Sequence, residues 1–156
     1  MKKEFEKILE KEQSFVSNEG VSAPVVKEST FVIIKPDCTG NDAEAGIVSM
    51  IKSKGYEIIK SKRMLLTEEI VREHYAHHAD KPFFPEILKY MRSGPVLAMV
   101  VTGGNVVQGM CDLAGNIGVD GTIRGIYGKD KCENGFHRSD SLAAAEVEIK
   151  RFFGEQ

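Results

Sequence analysis

Hydrophobic and polar positions along the chain follow two periods, and the switches between them mark the elements. Phe31-Val32-Ile33-Ile34 reads as a short apolar strand, ended by Lys35-Pro36-Asp37. Asp42 then stands as the cap of a helix to about Lys54, with Ile47, Val48 and Ile51 on its inner face and Gly55 as its stop. Tyr56 to Leu66 alternates as a second strand. Thr67 caps the next helix, which carries Glu68 and Glu69 in its first turn and ends near His78, ahead of Pro82. Pro85 opens a short helix closed by Ser93-Gly94, and Val96 to Val101 is a third, fully buried strand. Gly103-Gly104 predicts a turn, Asn105 a cap for a helix to about Ala114, and Gly115 to Gly121 a glycine-punctuated loop. A last strand leads to His137. An Ala- and Glu-rich helix follows from about Leu142 to Phe153, with Ser139 to Ser141 supplying oxygens for its N-terminus.

This order predicts an α/β (α+β) fold. It fits a ferredoxin-like βαββαβ sandwich, an antiparallel four-stranded sheet with added helices, and a helical hairpin inserted after the second strand. The compact domain is expected over residues 30–156. Residues 1–29 read as an N-terminal extension, with Phe5, Ile8 and Leu9 at helical spacing in Lys2 to Gln13 and a polar linker from Ser17 to Pro24. A partly flexible tail is the expectation there; the alternative is a helix docking on a partner subunit.

Composition removes several classes. A net charge of −2 gives no global basic field for nucleic acid or an anionic membrane. Cys38, Cys111 and Cys132 are scattered and odd in number, without a CxxC pair, which argues against a disulfide scaffold or structural zinc and for a reducing compartment. The longest apolar run, Pro95 to Val101, is far short of the ~20 residues that span a bilayer. A cytoplasmic protein is expected. Walker-type, dinucleotide-binding, zincin and hydrolase-elbow signatures are absent from the sequence.

The candidate chemistry centres on His137. It sits beside a helix start, where backbone N–H groups and the dipole favour anions such as phosphate. Lys35 ends an apolar strand, where an α/β protein can place a phosphate-binding cation. Arg124, in Gly121-Thr122-Ile123-Arg124-Gly125, has glycines on both sides that let backbone approach a ligand, and arginine suits bidentate phosphate contacts. Phe83 and Phe84 lie between prolines; the plain reading is core, the sharper one a platform for a nucleobase. His74, His77 and His78 share a face in a helix, a spacing that suits a metal or simply a polar helix end. A histidine, cations and an aromatic together suit phosphoryl transfer, which depends on positioning and charge neutralisation.

With these residues in view, the chain resembles the nucleoside diphosphate kinases over about Thr30 to Phe153. The segments that carry the likeness are Thr30 to Asp37, His74-Tyr75, Lys81 to Phe84, Ser93 to Val96, Gly121 to Gly125, and Asn134 through Ser141. The resemblance implies ping-pong exchange of a γ-phosphate between nucleoside triphosphates and diphosphates, with Mg²⁺ held on the phosphates and no protein-held metal. It implies that His137 is the nucleophile, that Glu148 orients its imidazole and that Ser139 supports this network. It implies phosphate or ribose contacts for Lys35, Tyr75, Arg124 and Asn134, and a base stacked on Phe83 with Ile87 beside it. It also implies a homo-oligomer built from dimers, a hexamer foremost.

The sequence departs from the family pattern at defined positions. Cys111 stands where a phosphate-binding arginine is expected, and Ile117 where a phosphate-contacting threonine is expected. The loop before Gly121 is about four residues shorter than the family pattern, and it bears on both the nucleotide site and subunit contacts. Lys131 replaces a small apolar residue, and Arg138 the small residue after the nucleophile. Arg138 or Lys131 could then supply the missing charge. The alternative reading is a nucleotide-binding or scaffolding protein of the same fold with weakened catalysis.

Overall fold

The computed structural model describes residues 27–130 and 133–154. A four-stranded antiparallel sheet has the order β2-β3-β1-β4, with β1 at Lys27–Ile34, β2 at Glu57–Met64, β3 at Val96–Gly104 and β4 at Phe136–Arg138. This is the expected α+β sandwich. β1 is central and covered on both faces, so its sequence is continuously apolar from Phe31 to Ile34. Edge strand β2 keeps the alternation of a half-exposed surface.

Helices pack on each face. Val32, Ile34 and Phe136 meet α1 (Asp42–Ser53), α4 (Val106–Ala114) and α5 (Ile123–Tyr127) on one side. Phe31 and Ile33 meet α2 (Glu68–His74), α3 (Phe84–Met91) and α6 (Leu142–Phe153) on the other. Each fully buried Val, Ile or Phe contributes about 1.5–3 kcal/mol relative to exposure. A one-residue slip of β4 would put Phe136 on the wrong face, so this burial also fixes where His137 points. Among the described residues no helix is long and apolar enough to cross a membrane.

Several boundaries differ from expectation. β1 begins at Lys27, ahead of the predicted Phe31, because Lys27 to Ser29 pair with Thr102 to Gly104. That pairing also draws Gly103 and Gly104 into β3, where a turn was predicted. The cap of α1 is Asn41, one residue before Asp42; its side chain accepts from the Ala43 N–H. Asn105 makes no side-chain cap and instead adopts φ +53°. The predicted helix ending near His78 stops at His74, and a 3₁₀ turn takes Ala76–His78. Helix α5 lay hidden in the glycine-bounded Gly121 to Gly125 segment, too short to show a period. The predicted helix in Lys2 to Gln13, the linker from Ser17 to Pro24, and Lys131 lie outside the described residues.

Gly125 is fixed by space. A methyl group there would lie 1.7 Å from the Val119 carbonyl oxygen, a backbone atom that no rotamer change can move. We expect Gly125→Ala to lower stability by about 1–3 kcal/mol through overpacking. Chemical denaturation measures this, and an unchanged midpoint would show that the loop yields freely.

Candidate active site

β4 sets His137 opposite Ile33, on the Phe31 face of the sheet. Its ring lies 6.1 Å from Phe31 and 4.4 Å from His74 between centroids. The inward stripe of α6 runs Ala145, Glu148, Phe152, so packing of Phe152 on Phe31 brings Glu148 to the histidine. His137 Nε2 and Glu148 Oε1 are 2.6 Å apart, with side-chain exposures of 20% and 12%. Ser139 Oγ lies 3.1 Å from the same carboxylate oxygen and 3.2 Å from the Phe31 carbonyl. One hydroxyl proton thus faces two acceptors, and the serine ties α6 to β1.

These contacts set the tautomers. An ionised carboxylate only accepts, so Nε2 of His137 donates to Glu148 and Nδ1 keeps its lone pair. The Arg151 guanidinium only donates, so His74 Nδ1, 3.1 Å from Arg151 Nη1, is an acceptor and Nε2 carries the proton. Burial and then the neighbouring imidazole of His137 push the His74 pKa down to about 3. Burial, followed by the charges of Lys35 and Arg124, likewise holds His137 well below the usual histidine range. Burial pushes Glu148 up, opposed by His74 and by the Ser139 hydrogen bond. Both imidazoles are therefore neutral at pH 7.

Cations gather at the end of β1 and around β4. Lys35 is buried, and its Nζ donates to Asn134 Oδ1 at 2.9 Å. Its backbone N–H donates to the carbonyl of Gly135, whose φ of +81° forms the turn into β4. Arg124 on α5 donates from Nε and Nη2 to the Phe136 carbonyl and from Nη1 to the Gly115 carbonyl. Burial, then the charge of Arg138, lowers the Arg124 pKa; Tyr75, Asp140 and Cys111 act in the opposite sense. Tyr75 follows α2, its ring 4.9 Å from that of His74 and its hydroxyl donating to Met91 Sδ at 3.7 Å. Phe83, at the start of α3, is 45% exposed, while Ile87 packs toward the core one turn on.

The structure thus joins His137, Glu148 and Ser139 directly, and Lys35 with Asn134. Phe83 and Ile87 stand apart on α3. His74, His77 and His78 do not share a face: His74 is buried beside His137, whereas His77 and His78 lie against each other outside the core, their ring centroids 3.9 Å apart and their planes tilted by 46°. Among the described residues the one compact set of possible metal donors is His74, His137 and Glu148, within 4.8 Å of one another. Two nitrogens and a carboxylate already bonded to His137 do not fit an oxygen-seeking ion such as Mg²⁺. Sequence reasoning missed the role of His74 in the cluster and the hold of Arg151 on it. The signal for Arg151 was its place three residues after Glu148 on one helix face.

Comparison with known proteins agrees with this architecture. The sequence profile described as nucleoside diphosphate kinase matches residues 28–156. A nucleoside diphosphate kinase of Acetivibrio thermocellus is 41% identical over 132 residues, covering 82% of this chain and 97% of the relative. The structure of a halophilic nucleoside diphosphate kinase from Halobacterium salinarum in complex with CDP aligns with a TM-score of 0.79 and 39% identity, over 83% of this chain and 90% of that one. The apo enzyme from Encephalitozoon cuniculi gives a TM-score of 0.78 and 37% identity, over 82% and 90% of the two chains. By sequence over most of its length, and by fold, the chain belongs to the nucleoside diphosphate kinase family.

Proposed function

We propose that the chain exchanges γ-phosphates between nucleoside triphosphates and diphosphates through a phosphohistidine at His137. The observation that carries this reading is the 2.6 Å contact between His137 Nε2 and Glu148, which leaves Nδ1 with a free lone pair on a neutral ring. Nδ1 attacks the γ-phosphorus, the bond to the bridging oxygen breaks, and the diphosphate leaves with the electron pair. The Nε2 proton stays on the ring, and Glu148 offsets the charge of the phosphorylated imidazole. A second diphosphate then takes the phosphoryl group by the reverse step.

Lys35, Arg124, Asn134 and Tyr75 hold phosphate or ribose in this reading, with Ser139 steadying Glu148. Phe83 is exposed enough to take a base on its face, with Ile87 beside it, and stacking alone discriminates little among bases. Mg²⁺ rides on the nucleotide phosphates and neutralises their charge. The protein is read as a cytoplasmic homo-oligomer built from dimers, a hexamer foremost. Light scattering tests the assembly, and a particle of 17.3 kDa would remove it.

Steady-state kinetics with ATP and GDP tests the exchange. Parallel double-reciprocal lines are expected from a ping-pong reaction; intersecting lines would replace it with direct transfer in a ternary complex. Nucleotide binding with no exchange would favour the weakened, scaffolding alternative, for which Cys111 and Ile117, standing where an arginine and a threonine are expected, are the supporting features.

A further inference from the structure

Arg138 follows His137 in β4, so its side chain turns to the opposite face of the sheet, the face of Phe136 and of helix α4. β4 is the edge strand, and a ligand along that edge can meet side chains from both faces. The Arg138 side chain is only 24% exposed. One guanidinium nitrogen donates to Asp140, whose own side chain is 85% exposed. Nε is buried and has no hydrogen-bond partner among the described residues. The positive charge acts on both Arg124 and His137, lowering the pKa of each. Cys111 on α4 adds no cation near Arg124.

Two guanidinium groups in one another's field, one with an orphaned buried donor, are costly without an anion between them. An exposed carboxylate offsets part of that charge and leaves donors over. We propose that Arg138 is a further phosphate-binding cation of the site, gripping the phosphate chain of a nucleoside di- or triphosphate together with Arg124 and Lys35. The ligand class follows from the donors: planar guanidinium forks match the paired oxygens of a phosphate chain. The inference rests on the exchange reading above, but its first test does not need turnover.

Calorimetric binding of inorganic pyrophosphate and of ADP to wild type, Arg138→Ala, Arg138→Gln and Arg138→Lys gives that test. Loss of one charged hydrogen-bonding group is expected to weaken pyrophosphate about tenfold in the Ala and Gln variants. Lys should recover part of the loss through its charge alone. The rate of phosphoenzyme formation from ATP should fall ~10²–10³-fold in the Ala variant, the scale for one transition-state donor. Pyrophosphate affinity and phosphorylation rate within twofold of wild type in Arg138→Ala would overturn the proposal, leaving a structural ion pair with Asp140. Should Arg138→Ala not fold, the Gln variant, which keeps the aliphatic stem and a polar amide but no charge, decides the same comparison. A wild type that never forms phosphohistidine, yet binds pyrophosphate through Arg138, would sink the exchange reading and keep this one.

Discussion

Replacing His137 with alanine is expected to abolish exchange, with a loss on the order of 10⁶-fold, the scale on which removal of a catalytic nucleophile registers. The large figure follows from the neighbours. His74 lies 4.4 Å away between ring centroids, but it cannot substitute. Its Nδ1 lone pair is engaged by Arg151 and its Nε2 carries the proton. Cys38 is buried and its thiol is pushed up to about 11, so it holds no thiolate at pH 7. ADP should still bind His137→Ala, because Lys35 keeps its bond to Asn134 and Arg124 its bonds to the Phe136 and Gly115 carbonyls. Coupled-assay rates and calorimetry measure the two halves of this prediction. Exchange within tenfold of wild type would mean that another group carries the phosphate.

Acidification should destabilise the fold well above the usual carboxylate range. In the unfolded chain His74 and His137 take protons near the ordinary value of 6.5; in the folded chain His74 resists to about 3, and His137 is shifted the same way. The unfolded state therefore binds the extra protons, and stability falls as pH falls through that window. Each histidine accounts for about 1.4 kcal/mol per pH unit, or about 2 kcal/mol between pH 6.5 and 5. Glu148 acts with the opposite sign: its pKa is raised above 4.5, so it favours the folded state on acidification and offsets part of the loss. Two histidines outweigh one carboxylate. Denaturation midpoints should drop between pH 7.5 and 5, and His74→Gln should flatten the slope. A wild-type midpoint constant over that range would contradict the neutral, buried imidazole pair.

The fold was largely legible because its strands and helices are long enough to declare a period. α6 is the plainest case: Leu142 to Phe153 matched the helix at both ends, since Ser141 caps it and Gly154 stops it. Short or glycine-bounded pieces were not legible. α5 spans five residues, too few for an amphipathic pattern, and depends on Thr122 accepting from the Gly125 N–H. Gly103 and Gly104 read as a turn because cross-strand pairing with Glu28 and Lys27 leaves no local mark. In the site, residue types and motif order pointed to His137, Lys35 and Arg124. The spacing of His74, His77 and His78 misled, because the helix ends at His74 and the next turn carries the other two outward. Likewise, the half-buried state of Arg138 follows from a strand pairing 106 residues apart (Val32 to Arg138), which sequence periodicity does not encode.

The most direct test of the account is to incubate the purified protein with γ-labelled ATP and Mg²⁺, isolate it, and chase with GDP. Acid-labile label should form on the wild type at His137, pass to GDP to give labelled GTP, and be absent from His137→Ala. Label that is acid-stable, or that forms equally on His137→Ala, would contradict phosphoryl transfer through this histidine.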